Sequence, residues 1–335
     1  MRKSLLALFF LSLPLLAAGK NLDIYFIDVE GGQATLFVTP AGQSMLIDTG
    51  WPGFGSRDAN RIVAVAKHAG LTQIDYLVVT HFHIDHAGGV PNLVAAIPVK
   101  NFIDHGPSFE TDAAGNKLYA DYTTALGKAN HIVVKPGQKI PVKGLDIAVV
   151  TAAGDEITKP LPGAGAANPN CAGVKMRDAD PSENARSLGS LIAFGKFKVF
   201  DLGDLTWNKE MSLACPANLV GTVDLYLSTH HGLFQSNNPA LVHALHPRVA
   251  IMNNGARKGG SPEAWQTIHS SPGLQDLWQV HYSVEGSTAN NVDEKFIANP
   301  DENNDAGHYL KVSAQMDGTF TVTNSRNNFT KTYKP

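Results

Sequence analysis

Residues 80–89 read THFHIDHAGG and follow directly on the apolar run IDYLVV at 74–79. The run is short, rich in Val and Leu, and reads as a buried strand whose end delivers His81. His83 is two residues on, so in extended backbone it points the same way as His81. Asp85 and His86 follow as the chain turns toward a helix. Two histidines two apart can bind one metal ion while the adjacent Asp–His pair binds another. Imidazole and carboxylate are the ligand set of zinc, with iron and manganese as alternatives. A lone histidine would read as an ordinary surface residue; four ligand-capable groups at one strand end do not. Gly88 and Gly89 let the backbone pass close to such a site.

Working outward, LDIYFIDV (22–29), ATLFVTP (34–40) and SMLIDTG (44–50) are three strands joined by the turns EGGQ and AGQ, an antiparallel meander. SRDANRIVAVAKHAGL (56–71) has a helical period, with Ile62, Val63, Val65 and Ala66 on one side and Gly70 as its stop. GGVPNLVAAI starts a short helix and KNFIDHG is another strand. Residues 151–187 are rich in Gly, Pro, Ala and Asn and read as a long loop that helps shape a substrate pocket. Strands return in SLGSLIAFG (187–195), FKVFDLGD (197–204) and, after a helix, VDLYLSTHHG (223–232). PALVHALHP is a helix and RVAIMNN a strand. HYLKVSAQ and TFTVTNS form a strand pair within 308–335. Strand–helix–strand units mixed with meanders suit an α/β (α+β) chain of two sheets packed face to face with helices outside.

Two further strands carry ligand-capable groups at their tips: Asp204 after FKVFDLG, and His230 with His231 after VDLYLST. In sheets of this kind, sites collect at one end of the strands.

The bulk properties narrow the function. Among 335 residues, 27 Lys and Arg stand against 30 Asp and Glu, a formal net charge of −3. There is no basic run, hence no strong nucleic-acid signal. No Gly-x-Ser-x-Gly elbow and no P-loop are present. The basic start MRK, the apolar stretch SLLALFFLSLPLL and the small residues AAG predict a signal peptide over 1–19, cleaved before Lys20. The remaining 20–335 is then a single domain, without a later membrane span, exported to the periplasm or beyond. In that setting the two cysteines, Cys171 and Cys215, can close a disulfide, although the sequence does not show that they meet. Nor does it set the oligomeric state.

The ordered set IDTG, THFHIDHAGG, DLGD and STHHG resembles the metallo-β-lactamase superfamily of hydrolases. Within it, FIDVEGGQATLFVTPAGQSMLIDTG and DLYLSTHHG resemble most the soluble domain of ComEC-type competence proteins and the bacterial phosphorylcholine esterases. The resemblance covers roughly 22–255. It implies an αββα sandwich with one or two divalent metal ions at the strand ends. It implies further that His81 and His83 are ligands of the first ion, that Asp85, His86 and His230 are ligands of the second, and that Asp204 bridges the two. Asp48 would support the ligand loop. Asp85, and His231 if it contacts substrate or protonates a leaving group, are the candidate catalytic residues; His231 could also be a mere neighbour. One element departs from the pattern. The superfamily usually places another histidine just before the strand leading to the bridging aspartate, where this chain reads PSENARSLGSLIAFG. The first ion then either lacks a third histidine or takes an oxygen ligand from Asn184 or Ser187 in that stretch; Asn184, or His105 in FIDHG, is the candidate extra ligand or substrate contact.

A bound metal ion lowers the pKa of its water toward neutrality, so no serine or cysteine nucleophile is needed. The expected function is an exported metal-dependent hydrolase of a small ester or phosphoester, with a phosphodiester favoured by the resemblance. β-Lactam, lactone and thioester hydrolysis, a di-iron redox role and a non-catalytic binding module are the alternatives. Asn253, Asn254 and Lys258 could serve an anionic substrate or form a plain loop.

Overall fold

The computed structural model describes residues 21–304 and 306–335, so the expected signal peptide lies outside the described residues. Two nine-stranded mixed sheets pack face to face with helices on both outer surfaces. The first sheet runs, edge to edge, Thr330–Tyr333, Phe320–Asn324, Leu310–Ala314, Leu22–Phe26, Thr35–Val38, Ser44–Ile47, Ile74–Val78, Val99–Asp104 and Asn130–Val133. The second runs Ile297–Asn299, Asp276–His281, Val249–Met252, Leu225–Leu227, Phe197–Asp201, Gly189–Phe194, Asp146–Ala152 and Lys139–Ile140, with Asp155–Glu156 pairing the strand at 146–152.

Each sheet is antiparallel on one side and parallel on the other. In the first, the strands from Ser44–Ile47 to Asn130–Val133 are parallel. In the second, the strands from Phe197–Asp201 to Ile297–Asn299 are parallel. Parallel neighbours need crossovers, which the helices Arg57–His68 and Pro239–Leu245 supply. As a result the carboxyl ends of the parallel strands, and the loops that leave them, are gathered at one edge.

Side-chain alternation divides the core. Leu22, Ile24, Phe26, Ile47 and Val78 face inward against Ile192, Val199, Leu225, Ile251 and Trp278 of the second sheet. Their neighbours Tyr25, Leu46 and Leu77 face outward and are covered by Ile62, Val63 and Ala66 of the helix Arg57–His68. Phe200, Tyr226 and Ala250 are covered likewise by Leu213, Leu241 and Ile268. Strands buried on both faces are apolar at nearly every position, as IDYLVV is apart from Asp75, whose carboxylate accepts from Ser44 N at 3.0 Å.

The helices Ala113–Leu126 and Pro262–His269 and the strand Thr330–Tyr333 join the elements named above. Between Glu156 and Glu183 the backbone forms a short 3-10 turn at Pro169–Cys171 and a single antiparallel bridge from Ala167 to Ala217. This stretch is held by a disulfide between Cys171 and Cys215, whose Cα atoms are 5.8 Å apart. No helix among the described residues is long and apolar enough to cross a membrane.

The bridge closes a loop with a sequence separation of 44, for which the chain-entropy account gives about 4 kcal/mol. Replacing both cysteines by serine should therefore lower the unfolding free energy by about 2–4 kcal/mol in a denaturant titration. An unchanged midpoint would show that the bridge does not restrain the unfolded chain.

Candidate metal centre

Three parallel strands aim their following loops at one point. The loop after Ile74–Val78 carries His81 to His86, that after Phe197–Asp201 carries Asp204, and that after Leu225–Leu227 carries His230 and His231. One atom each of Asp85, His86, Asp204 and His231 lies within 4.8 Å of the others, and all four residues are buried. His86 Nε2 stands 3.1 Å from Asp204 Oδ2, 3.3 Å from Asp85 Oδ2 and 3.1 Å from His231 Nε2. His231 Nε2 is 3.2 Å from Asp85 Oδ2 and 3.3 Å from Asp204 Oδ1.

Asp204 is the hub. Its Oδ2 also meets His230 Nε2 at 3.4 Å and His81 Nε2 at 4.0 Å. The family resemblance implies that His230 belongs to the second-ion group and His231 does not. The structure exchanges them: His231 lies among Asp85 and His86, while His230 meets the Asp204 oxygen that His81 also approaches. Both residues have left-handed backbone, φ 55° each, which turns two consecutive side chains toward one point. No side-chain periodicity of a strand or helix would show that.

Local backbone explains the precision. Asp48, itself at φ 60°, accepts from Thr80 N at 2.8 Å and Thr80 Oγ1 at 2.7 Å, and its Oδ2 is 2.7 Å from His86 Nδ1. With Nδ1 so engaged, His86 presents Nε2 to the cluster. Asp48 thus supports the ligand loop from beneath. A Cβ on Gly89 would lie 2.2 Å from Thr49 O, so only glycine allows that approach.

Electrostatics match a cation site. Burial drives His81 well below its usual range, and it drives His230 down to about 4, so both rings are neutral. Burial opposes ionisation of Asp85 and Asp204, but their histidine neighbours, and Lys258 for Asp85, hold both well below the usual carboxylate range. Against its own burial, His86 is raised well above 6.5 by Asp204, Asp85 and Asp48. The three carboxylates thus favour positive charge at this point, whether a proton on the ring or a cation in its place. His81 Nε2 and Asp204 Oδ1 are buried without a hydrogen-bond partner. Neutral imidazoles, ionised carboxylates and unpartnered inward atoms fit one or two divalent ions.

The other expected residues fall outside the cluster. His83 turns its Nε2 to Glu110 Oε1 at 3.2 Å, with its ring against that of His81. His105 directs its Nε2 to Glu183 Oε2 at 3.0 Å, and its Nδ1 is buried without a hydrogen-bond partner. Asn184 sits in the 3-10 turn Glu183–Arg186 with Oδ1 buried and unpartnered, bonded to no cluster residue. Lys258 reaches Asp85 Oδ2 and lies over the Trp51 ring at 5.0 Å. Glu183 and Glu210 escaped the sequence reading, because single acids in a loop or helix carry no spacing signal. Glu210 is buried beneath the His230–His231 turn, accepting from Asn238 N at 2.8 Å, and burial pushes it up to about 7.

The metallo-β-lactamase superfamily model matches residues 27–166. No curated protein sequence matches the chain. Among solved structures, a variant of the CmlA β-hydroxylase is 15% identical, with 79% of this chain and 53% of that one covered and a TM-score of 0.48. The chain thus spans about half the length of that hydroxylase. A protein from Parabacteroides distasonis described as a metal-dependent hydrolase is 17% identical, with 77% and 92% covered and a TM-score of 0.42. A diphosphatase of the PhnP family is 12% identical, with 70% and 87% covered and a TM-score of 0.36.

Two outcomes follow from this geometry. Asp48→Ala should weaken zinc binding about 10–100-fold in a calorimetric titration, because His86 loses its orienting partner; unchanged affinity would mean that packing alone fixes the ring. Glu210 is raised above its unfolded value, so it favours the folded state at acid pH, and this contribution is lost as the pH rises through about 7. Glu210→Gln should therefore flatten the fall in stability between pH 5 and 8, by up to about 3 kcal/mol in denaturant melts.

Proposed function

We propose that this chain, which has the metallo-β-lactamase sandwich fold, is a metal-dependent hydrolase acting on a phosphodiester or related ester. The observation that carries the reading is the buried cluster of Asp85, His86, Asp204 and His231, with Asp204 Oδ1 and the nearby His81 Nε2 buried without a hydrogen-bond partner. When bound, a divalent ion supplies Lewis-acid polarisation of the substrate oxygen and a lowered pKa for its water.

Asp85, His86, His231 and Asp204 form one donor group. We infer that His81, His83, His230 and Asp204 would hold a second ion, with His230 in place of the histidine missing before the Gly189–Phe194 strand. Zinc suits this set, with manganese or iron as alternatives. Asp48 and Thr80 hold the ligand loop. The chain offers no rival nucleophile in its cysteines, since Cys171 and Cys215 are bonded to each other. Lys258 places a fixed cation at the rim, beside Asp85. A cation there favours a substrate that carries negative charge at its reacting centre, a phosphodiester over a neutral lactone or thioester. Export through the 1–19 segment remains part of the proposal, consistent with a disulfide in the mature chain.

The test is hydrolysis of bis-p-nitrophenyl phosphate, with nitrocefin and a neutral lactone alongside. We expect chelator-sensitive cleavage of the diester, and a loss of at least about a hundredfold in His83→Ala and Asp204→Asn. Lys258→Ala should raise KM for the diester about tenfold, as expected for loss of a charge-assisted hydrogen bond of about 1.5 kcal/mol. Full diester turnover in Asp204→Asn would overturn the reading. Turnover of nitrocefin or the lactone alone would move it to the neutral-substrate branch.

A further inference from the structure

We propose that Glu110 is a positioning residue for the metal centre: by accepting the hydrogen bond of His83 Nε2 it leaves Nδ1 as the ligating nitrogen of that ring. The inference rests on the reading of His83 as a metal ligand, and it gives a role to a residue that no sequence pattern singled out.

The support of the other rings shows the contrast. His81 Nδ1 faces Thr80 Oγ1 at 3.1 Å, His86 Nδ1 faces Asp48 at 2.7 Å, and His230 Nδ1 faces Ser236 Oγ at 3.4 Å. Each keeps Nε2 for the cluster. His83 is reversed, for its Nε2 is the nitrogen engaged, 3.2 Å from Glu110 Oε1. An imidazole nitrogen that donates a hydrogen has no lone pair left for a cation. Only Nδ1 of His83 can then ligate.

Packing does not fix this ring as it fixes the others. The His81 and His86 side chains are fully buried, whereas that of His83 is 29% exposed. A cavity of about 280 Å³, bordered also by Phe82, Ile84 and Leu118, flanks it. With open space beside the ring, the hydrogen bond to Glu110 selects its orientation and its tautomer.

Glu110 is itself anchored. Its Oε1 also accepts from Glu183 N at 3.2 Å. The Glu183 carboxylate in turn accepts from Phe82 N at 3.0 Å and from Phe109 N, and it pairs with His105. The stretch where a histidine ligand was expected thus supplies a carboxylate that ties the backbone between His81 and His83 to the loop bearing Glu110. Its contribution is to hold the ligand loop.

The test uses the full mature chain, stripped of metal and titrated with Zn(II) by calorimetry and with Co(II) by its visible absorption. In Glu110→Ala we expect one binding step to weaken about 10–100-fold, with the step held by Asp85, His86 and His231 unchanged. Glu110→Gln should restore most of the loss, since its carbonyl oxygen can accept from both His83 Nε2 and Glu183 N. Imidazole nitrogen NMR of the zinc-loaded parent should show His83 protonated at Nε2. That measurement needs no variant and survives any folding defect. Protonation at Nδ1, or parent affinity at both steps in Glu110→Ala, overturns the inference while leaving the metal centre standing. A parent that takes up no metal, or a His83→Ala variant that binds as the parent does, overturns the metal-centre reading and this inference with it.

Discussion

Everything at the ligand edge is arranged around one costly fact: three carboxylates, Asp48, Asp85 and Asp204, are buried around a single imidazole, that of His86. Buried like charges are strongly unfavourable unless positive charge is placed among them. Here the His86 ring lies at their focus and Lys258 pairs Asp85 at the rim, so the site favours a proton or a cation at its centre. The left-handed backbone of Asp48, His230 and His231 reflects the same demand. Each of these residues sits in a region that costs a non-glycine of the order of 1 kcal/mol, and each does so where the chain must turn sharply to bring a charged or ligating group to the centre.

The parts of this arrangement that were legible in the sequence are those in which chemistry and periodicity coincide. The buried strands announced themselves by runs of apolar residues, and their ends by histidine and aspartate; the family resemblance carried by IDTG, THFHIDHAGG, DLGD and STHHG then implied two mixed sheets with a candidate metal site at one edge. Asp48 was singled out only through the family resemblance carried by IDTG. What was not legible depends on backbone geometry or on single acids. His230 and His231 are adjacent, and only their φ values decide which one stands among Asp85 and His86. His105 looked like a candidate ligand because it follows a strand, yet its partner, Glu183, lies 78 positions away. Glu110 and Glu210 occur once each, in contexts without spacing. The helices Ala113–Leu126 and Pro262–His269 carry weaker apolar stripes than the helix Arg57–His68 and were not read.

The sheets themselves are also held together by polar contacts that reach across. Asp28, past the end of the strand Leu22–Phe26, is 2.7 Å from His281 Nε2 of the second sheet and 3.0 Å from Arg61 on the outer helix of the first. Gln33 Nε2 donates to Asp201 at 2.8 Å, spanning the same seam. These contacts sit close to the ligand loops, and Gln33 N also bonds Asp85 O at 3.2 Å. The orientation of the two halves and the placement of the donors are therefore one problem, solved by the same residues.

That coupling has a consequence for how the chain behaves as a whole. His81, His83, Asp85 and His86 come from the first sheet, and Asp204, His230 and His231 from the second. Neither half holds a complete donor group. An ion seated among them would act as a tether between two separately hydrogen-bonded layers, binding only the docked arrangement and adding its binding free energy to the cohesion of that arrangement. Loss of the ion would then loosen the seam before it unravelled either layer, so proteolytic resistance along the ligand edge would track metal supply in the surroundings.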